Sequence, residues 1–302
     1  MPTGRIVFVE GQIDKEILVS LVGTQVTVAG ERLIVQRRGS KNTLAMEAKT
    51  IAKEGENDVY FVRDRDFDFL PPDDLSQPKP IKTEVITIKH THKVKREVKG
   101  WHWCRHEIEN YLLTPEIVTK ASYRKKYGYS FKITEYQQEL TKAAEKIRCY
   151  EAARWAIGKA KHCLPPKQEL YTRPIDILDK PIAIPDDCSG DATETWLINT
   201  TTAFSKQVSN TLTEEAVKQA YWHYLNRFDK SFCLDITQVL VWFSGKDILA
   251  ALEPWCMTKG YQNAAAFRET LANRLIEWLR RHPEEVCTFL PEWNALIHCL
   301  QT

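Results

Sequence analysis

Three aspartates spaced two apart, Asp64, Asp66 and Asp68 in "DVYFVRDRDFDF", follow closely on an apolar run. Tyr60, Phe61 and Val62 suit a pleated, buried surface, so these acids fall at the carboxyl end of a predicted strand. Carboxylates so crowded repel one another, and protonating one is costly at neutral pH. A divalent cation bound by oxygen ligands relieves that repulsion. By themselves the acids read equally well as a polar loop with surplus charge. A second acidic position weighs on the choice. Glu10 ends the run "RIVFV" (5–9), with Gly11 for a tight turn and Asp14 four residues after Glu10.

The elements around these acids follow from periodicity. "DKEILVSLVG" carries Ile17, Leu18, Leu21 and Val22 at helical spacing behind Asp14, which is expected to cap that helix. "RLIVQ" (32–36) reads as a second strand. Residues 39–55 read as a turn and then a helix with Leu44, Ala48, Ile51 and Ala52 on one face, closed by Gly55. With "DVYFV" as the third strand, the order predicts βαβ units and a small parallel sheet. Ligands of such sheets sit beyond the carboxyl ends of the strands. Glu10 and the aspartates share that edge.

The bulk numbers narrow the class. The chain has 302 residues, 43% hydrophobic and 27% charged, a globular composition. The net charge of +2 gives no global pull toward nucleic acid or membrane. No run nears 18 apolar residues, so a membrane span is not expected, and the start lacks a signal-peptide pattern. The eight cysteines are scattered singly with no C-x-x-C, which argues for reduced thiols, a cytoplasmic location and no zinc site.

Beyond the aspartates, "PPDDLSQPKP" (71–80) is a turn-rich break, and an alternating strand is predicted at 84–90. From Lys82 to Arg105 seven Lys/Arg stand against two Glu, interleaved with His90, His92, Trp101, His102 and Trp103. Lys93, Lys95, Arg96, Lys99 and Arg105 in that stripe could track a phosphate backbone, or could simply edge a solvated strand. Trp101 and Trp103 alternate onto one side of a strand, where core packing is the plainer reading. After residue 105 the pattern is mainly helical, with helices expected over 133–161, 212–228 and 266–283, the second capped by Thr213. Residues 177–193 read as a linker.

Four strings in order carry a resemblance: Val9–Asp14 (V-E-G-x-x-D), Gly39–Lys41 (G-x-K), Asp64–Asp68 (D-R-D-F-D) and Ile108–Leu113 (I-E-N-Y-L-L). They resemble the TOPRIM domain of OLD-family nucleases, and the length and motif set are similar to the TOPRIM effector subunits of PARIS anti-phage systems. Gly245-Lys246-Asp247 also recurs in that group. The resemblance covers residues 5–115, and the rest only through that last tripeptide. It implies an α/β fold: a small, mostly parallel TOPRIM-like sheet flanked by helices in residues 1–115, then a largely helical region, 116–302, completing the site and offering a dimer or partner surface.

The implied activity is hydrolysis of nucleic-acid phosphodiester bonds with Mg²⁺ or Mn²⁺, through two ions about 4 Å apart. In that arrangement Glu10, Asp64 and Asp66 hold the first ion, with Asp14 binding directly or supporting it and Asp68 lying farther from the strand end. Glu107 and Glu109 supply the second ion. Two residues apart on a regular helix, they would diverge by about 200°. Either the helix start is irregular or one of them alone is a ligand; Glu109 is preferred, and Glu107 also reads as a first-turn acid that favours the helix dipole. Lys246 is the basic candidate for stabilising charge on the phosphate, and Lys41 could hold a phosphate in its turn. The resemblance further implies an ABC-type ATPase partner on a separate polypeptide, since no G-x-x-x-x-G-K-[ST] occurs here, and a homodimer. Two other readings stay open. One is a TOPRIM-like subunit that binds metal or partner without turnover. The other is a D-x-D phosphohydrolase resembling the haloacid dehalogenases, in which Thr or Val usually stands where this chain has Asp68.

Overall fold

The computed structural model describes residues 5–22, 27–28, 31–39, 43–54, 58–88, 94–122, 132–164 and 190–301. The chain opens with β1 (Ile6–Val9) and α1 (Gln12–Val22), followed by the short β2 (Thr27–Val28), β3 (Glu31–Arg32) and β4 (Ile34–Arg37). Then come α2 (Leu44–Glu54), β5 (Val59–Arg63), a 3-10 turn (Asp66–Asp68), β6 (Lys79–Ile88) and β7 (Val94–His102). The main sheet has the order β4-β1-β5-β7-β6. Its first four strands are parallel and β6 runs antiparallel to β7 at the edge. The expected α/β fold with a mostly parallel sheet is therefore present.

Both faces of the sheet centre are covered, which is why β1 is buried at all four positions and reads as an unbroken apolar run. Alternation divides its side chains between the two faces. Ile6 and Phe8, with Val59, Phe61 and Val98, pack against Leu44, Ala48 and Ala52 of α2. Each large side chain so buried contributes about 1.5–3 kcal/mol relative to exposure. Phe61 lies opposite Gly100 in the register. A Cβ at Gly100 would come within 2.2 Å of the Phe61 ring, so glycine is what lets the ring lie across β7. Trp101 and Trp103 are both buried, consistent with a packing role.

Helices follow: α3 (Ile108–Leu112), α4 (Pro115–Ser122), α5 (Ile133–Cys163), α6 (Gly190–Thr211), α7 (Glu214–Arg227), α8 (Lys230–Leu234) and α9 (Ile236–Trp242). The last four are α10 (Gly245–Thr258), α11 (Ala264–Arg281), α12 (Pro283–Phe289) and α13 (Pro291–Gln301). The chain forms two compact units, one of Met1–Arg148 with Asp229–Thr302 and one of Cys149–Phe228. The expected division at 115/116 falls inside the first unit. There α11 packs on α1, α3 and α10. In the second unit Trp155 and Tyr224 set their rings 5.6 Å apart, and Thr213 caps α7 by accepting from the Ala216 N–H at 3.2 Å, as its spacing predicted.

Three local expectations need correction. Asp14 does not cap α1: the helix begins two residues earlier, at Gln12, and carries Asp14 as an acid in its first turn. The edge strand begins at Lys79 rather than 84, pairing as far as His102 across a register shift between Ile81 and Glu84. The helix expected at 266–283 runs from Ala264 to Arg281, since Asn263 caps it through the Ala266 N–H. Gly55 and most of the 177–193 stretch lie outside the described residues. No described helix is long and apolar enough to cross a membrane, and the seven described cysteines form no disulfide.

Candidate metal centre

Parallel strands end at one edge, so β1, β5 and β7 deliver Glu10, Asp64 and the segment 103–107 to the same side of the sheet. Two hydrogen bonds fix the relation. Glu10 Oε1 accepts from the Asp64 N–H at 3.2 Å, and the Trp103 N–H donates to Arg63 O at 3.1 Å. Asp14 enters from the first turn of α1, 5% exposed, its Oδ1 accepting from the Trp103 indole N–H at 3.1 Å. The 3-10 turn brings in Asp66. Its backbone N–H and that of Arg65 both donate to His106 O, at 3.0 and 3.1 Å, and Asp66 adopts φ 46°. Arg65 is fully buried and clamps the turn by donating to Phe69 O at 2.7 Å and to Val241 O.

The segment after β7 shows how Glu107 and Glu109 come to face the same turn. Glu107 is the N-cap of α3, with extended backbone at φ −154° and ψ 175°, so the two residues do not follow helical spacing. Its backbone N–H donates to Asn110 Oδ1 at 3.0 Å, completing a capping box. Asn110 Nδ2 also donates to Phe243 O at 2.9 Å, which ties α3 to the turn before α10. Both glutamates reach that turn: Glu107 Oε2 accepts from Lys246 Nζ at 2.5 Å, and Glu109 Oε2 lies 3.7 Å from the same nitrogen. The irregular helix start, one of the two expected solutions, is the one adopted. Gly245 makes the close approach possible, since a Cβ there would stand 2.8 Å from Asn110 N and from Glu109 Cβ.

The charges are strongly coupled. Burial, then the charges of Asp14, Asp66, Glu107 and Glu10, push the Asp64 carboxyl well above the usual range. Burial likewise raises Asp14, against the Trp103 hydrogen bond, and raises Glu109, with the Glu107 charge adding to the effect. Lys246 moves the opposite way to what burial alone dictates: Glu107 and Glu109 together hold its ammonium more firmly protonated than usual. Asp64 Oδ1 is buried without a hydrogen bond, and so is Glu109 Oε2. Buried carboxylate oxygens left this way are costly unless a cation meets them. Asp66, His106 and Glu107 each bring one donor atom within 4.8 Å of the others, so the three could hold one ion.

The expected residues differ in where the fold places them. Glu10, Asp14, Asp64, Asp66, Glu107, Glu109 and Lys246 are drawn together by the contacts above. Asp68, half-buried at the end of the turn, acts on Arg63, whose charge it helps to hold against burial. Arg105 is a correction. It is not on a nucleic-acid-facing stripe but 8% exposed, paired with Glu292 at 3.1 Å and donating to Thr114 Oγ1 at 2.6 Å. A buried acid contributed by α13 draws it inside. Lys99 is half-buried on β7; Lys41, Lys93 and the side chains of Lys95 and Arg96 lie outside the described residues.

Sequence reasoning missed four contributors. His106 stands beside Glu107 and was a readable signal, an imidazole next to an expected ligand. Ser244 Oγ donates to Glu107 Oε1 at 2.9 Å, Arg268 Nη1 donates to Glu109 Oε1 at 3.2 Å, and Trp103 holds Asp14. The chain matches no protein-family model and no curated protein.

Proposed function

We propose that this chain is a metal-dependent nuclease that hydrolyses phosphodiester bonds of nucleic acid at the sheet edge holding Glu10, Asp64, Asp66 and Glu107. The observation that carries the reading is the contact of Glu10 with the Asp64 N–H at 3.2 Å, which unites acids 54 residues apart. The donor chemistry fits a divalent ion: mutually destabilised carboxylates, two buried oxygens without hydrogen bonds, and one imidazole. Carboxylates suit Mg²⁺ and Mn²⁺, and the presence of His106 favours Mn²⁺ of the two. Such ions supply Lewis acidity and a bound water of lowered pKa. Glu10, Asp64 and Asp66 serve as one ligand group, and Glu107 with Glu109 as the other. Trp103 and Asn110 hold Asp14 and Glu107 in place. The Lys246 ammonium, beside Glu107 and Glu109, is the charge that meets negative charge developing on the phosphate.

The substrate class is RNA, tRNA included, or DNA, and the biological setting implied by the motif order is an anti-phage effector held by a separate ATPase and working as a homodimer. The test is cleavage of tRNA, other RNA and duplex DNA with Mn²⁺ or Mg²⁺, comparing the unaltered chain with Glu10→Ala, alone and after release from a co-expressed ATPase. Metal-dependent cleavage that Glu10→Ala lowers by about 10²-fold or more supports the reading. Intact substrates in every arm, with folded protein, would leave a subunit that binds without turnover.

A further inference from the structure

Glu107 is held asymmetrically. Its Oε1 accepts from two neutral donors fixed to the start of α10, Ser244 Oγ at 2.9 Å and the Lys246 N–H at 2.8 Å. Its Oε2 faces the Lys246 ammonium at 2.5 Å. Glu109 repeats the pattern. Its Oε1 is held by Arg268 at 3.2 Å, while its Oε2, on a residue 4% exposed, forms no hydrogen bond and lies 3.7 Å from the same ammonium. Each glutamate therefore has one anchored oxygen and one oxygen turned toward the same ammonium. The Lys246 side chain is 55% exposed, so its four-carbon stem can swing outward without opening a cavity. Ser244, Gly245 and Asn110 are by contrast buried, and bonded or in close contact.

We infer that Lys246 is a built-in competitor for the metal position formed by Glu107 Oε2 and Glu109 Oε2: its ammonium holds the two buried oxygens until a divalent ion replaces it. This rests on the reading of the site as a metal centre and adds to it a determinant of metal affinity. The physical basis is charge balance. Two buried carboxylates need a nearby cation, and the ammonium and a divalent ion cannot share the same oxygens without strong repulsion. Exchange leaves the anchored oxygens where they are, so the glutamates are already oriented when the ion arrives. The displaced ammonium swings to the exposed side of the site. Lys246 thus lowers the resting affinity for metal and couples ion entry to its own release.

The test is Mn²⁺ binding to the full chain by titration calorimetry, with Lys246→Gln and Lys246→Arg beside the unaltered protein. Lys246→Gln should bind Mn²⁺ at least about tenfold more tightly, equal to about 1.4 kcal/mol. Lys246→Arg, which keeps the charge, should not gain that affinity. Thermal unfolding adds a readout: Mn²⁺ should raise the midpoint of Lys246→Gln more than that of the unaltered chain. Should Lys246→Gln fail to fold, the unaltered chain still answers. The Lys246 side-chain NH₃⁺ resonance, assigned by its loss in Lys246→Arg, should be protected in metal-free protein and lose protection on Mg²⁺ addition. Equal or weaker Mn²⁺ binding by Lys246→Gln, or a resonance unmoved by Mg²⁺, overturns the inference alone. No Mn²⁺ binding by any form overturns both it and the metal-centre reading.

Discussion

The Trp103 indole N–H donates to Asp14 Oδ1 at 3.1 Å, joining a residue at the end of β7 to one in the first turn of α1. Both are almost wholly buried, and burial raises the Asp14 carboxyl while this hydrogen bond lowers it. The bond thus sustains an acid inside a crowd of acids. Trp103→Phe keeps most of the ring, including its edge contact with Tyr111 at 5.5 Å, and removes only the donor. A hydrogen bond to a charged group is worth about 1.5–3 kcal/mol, and that is the expected loss of stability in urea unfolding of metal-free protein. An unchanged urea midpoint would show that Asp14 does not depend on the indole.

His102 sets a pH dependence that can be isolated. It is 3% exposed and its ring lies 4.2 Å from that of Phe69. Burial, with Arg63 beside it, brings its pKa down to about 3 from an ordinary 6.5. The folded state therefore binds fewer protons than the unfolded one between those values. Stability from this residue is complete above about 6.5 and is lost as pH falls toward 3, on the order of 5 kcal/mol over the window. Asp14, Asp64 and Glu109, whose pKa values are raised, oppose it by taking up protons more readily when folded. The contrast between the unaltered chain and His102→Gln cancels those acids. The unaltered chain's stability relative to the variant should fall steadily from pH 6.5 to pH 4, by about 1.4 kcal/mol per unit. Parallel curves would mean that His102 takes up its proton as readily in the fold as in the unfolded chain.

Gly245 runs against helix propensity. It opens α10, where alanine would ordinarily be the better residue by about 1 kcal/mol. The missing Cβ would stand 2.8 Å from Asn110 N and from Glu109 Cβ, neither of which is a flexible tip. Gly245→Ala should therefore destabilise by about 1–3 kcal/mol, as overpacking does, and should separate Lys246 from Glu107. Denaturant unfolding checks the first effect and the Mn²⁺ affinity the second. A variant as stable as the parent would mean that α3 and α10 can slide apart freely.

The frame of this site was legible because it is local. Strand and helix periods placed β1, β5 and the acids at their ends, and the Ile108–Leu113 string marked α3. The contacts that finish the site span long stretches of chain. Arg268 is one of several polar positions on an amphipathic helix, and nothing in "AFRETLANRL" tells which one turns toward Glu109, 159 residues away. Arg105 looked like part of a basic stripe because its partner, Glu292, is 187 residues distant. Charge counted along a segment cannot separate a solvated cation from a buried one. An irregular start at Glu107 is one of two alternatives the spacing allows, and choosing it takes the turn at 243–246, which helical periodicity does not connect to α3.

Asp66 tests whether a strained backbone is kept for its side chain. Among the described residues it alone, glycines aside, has positive φ, at 46°. That conformation costs a residue with a Cβ roughly 1–2 kcal/mol, less for aspartate than for most, and glycine adopts it freely. The turn enforces it, because the Arg65 and Asp66 N–H groups share the His106 carbonyl. The Asp66 carboxylate stands 3.9 Å from His106 Nδ1, within the set that could hold an ion. Asp66→Gly should fold at least as stably as Asp66→Ala, and by about 1 kcal/mol better, since it relieves the backbone. Both should bind Mn²⁺ far more weakly than the unaltered chain. Strain retained where glycine fits better then has a functional cause. Full Mn²⁺ affinity in Asp66→Gly would remove that cause and leave the positive φ as a feature of the turn alone.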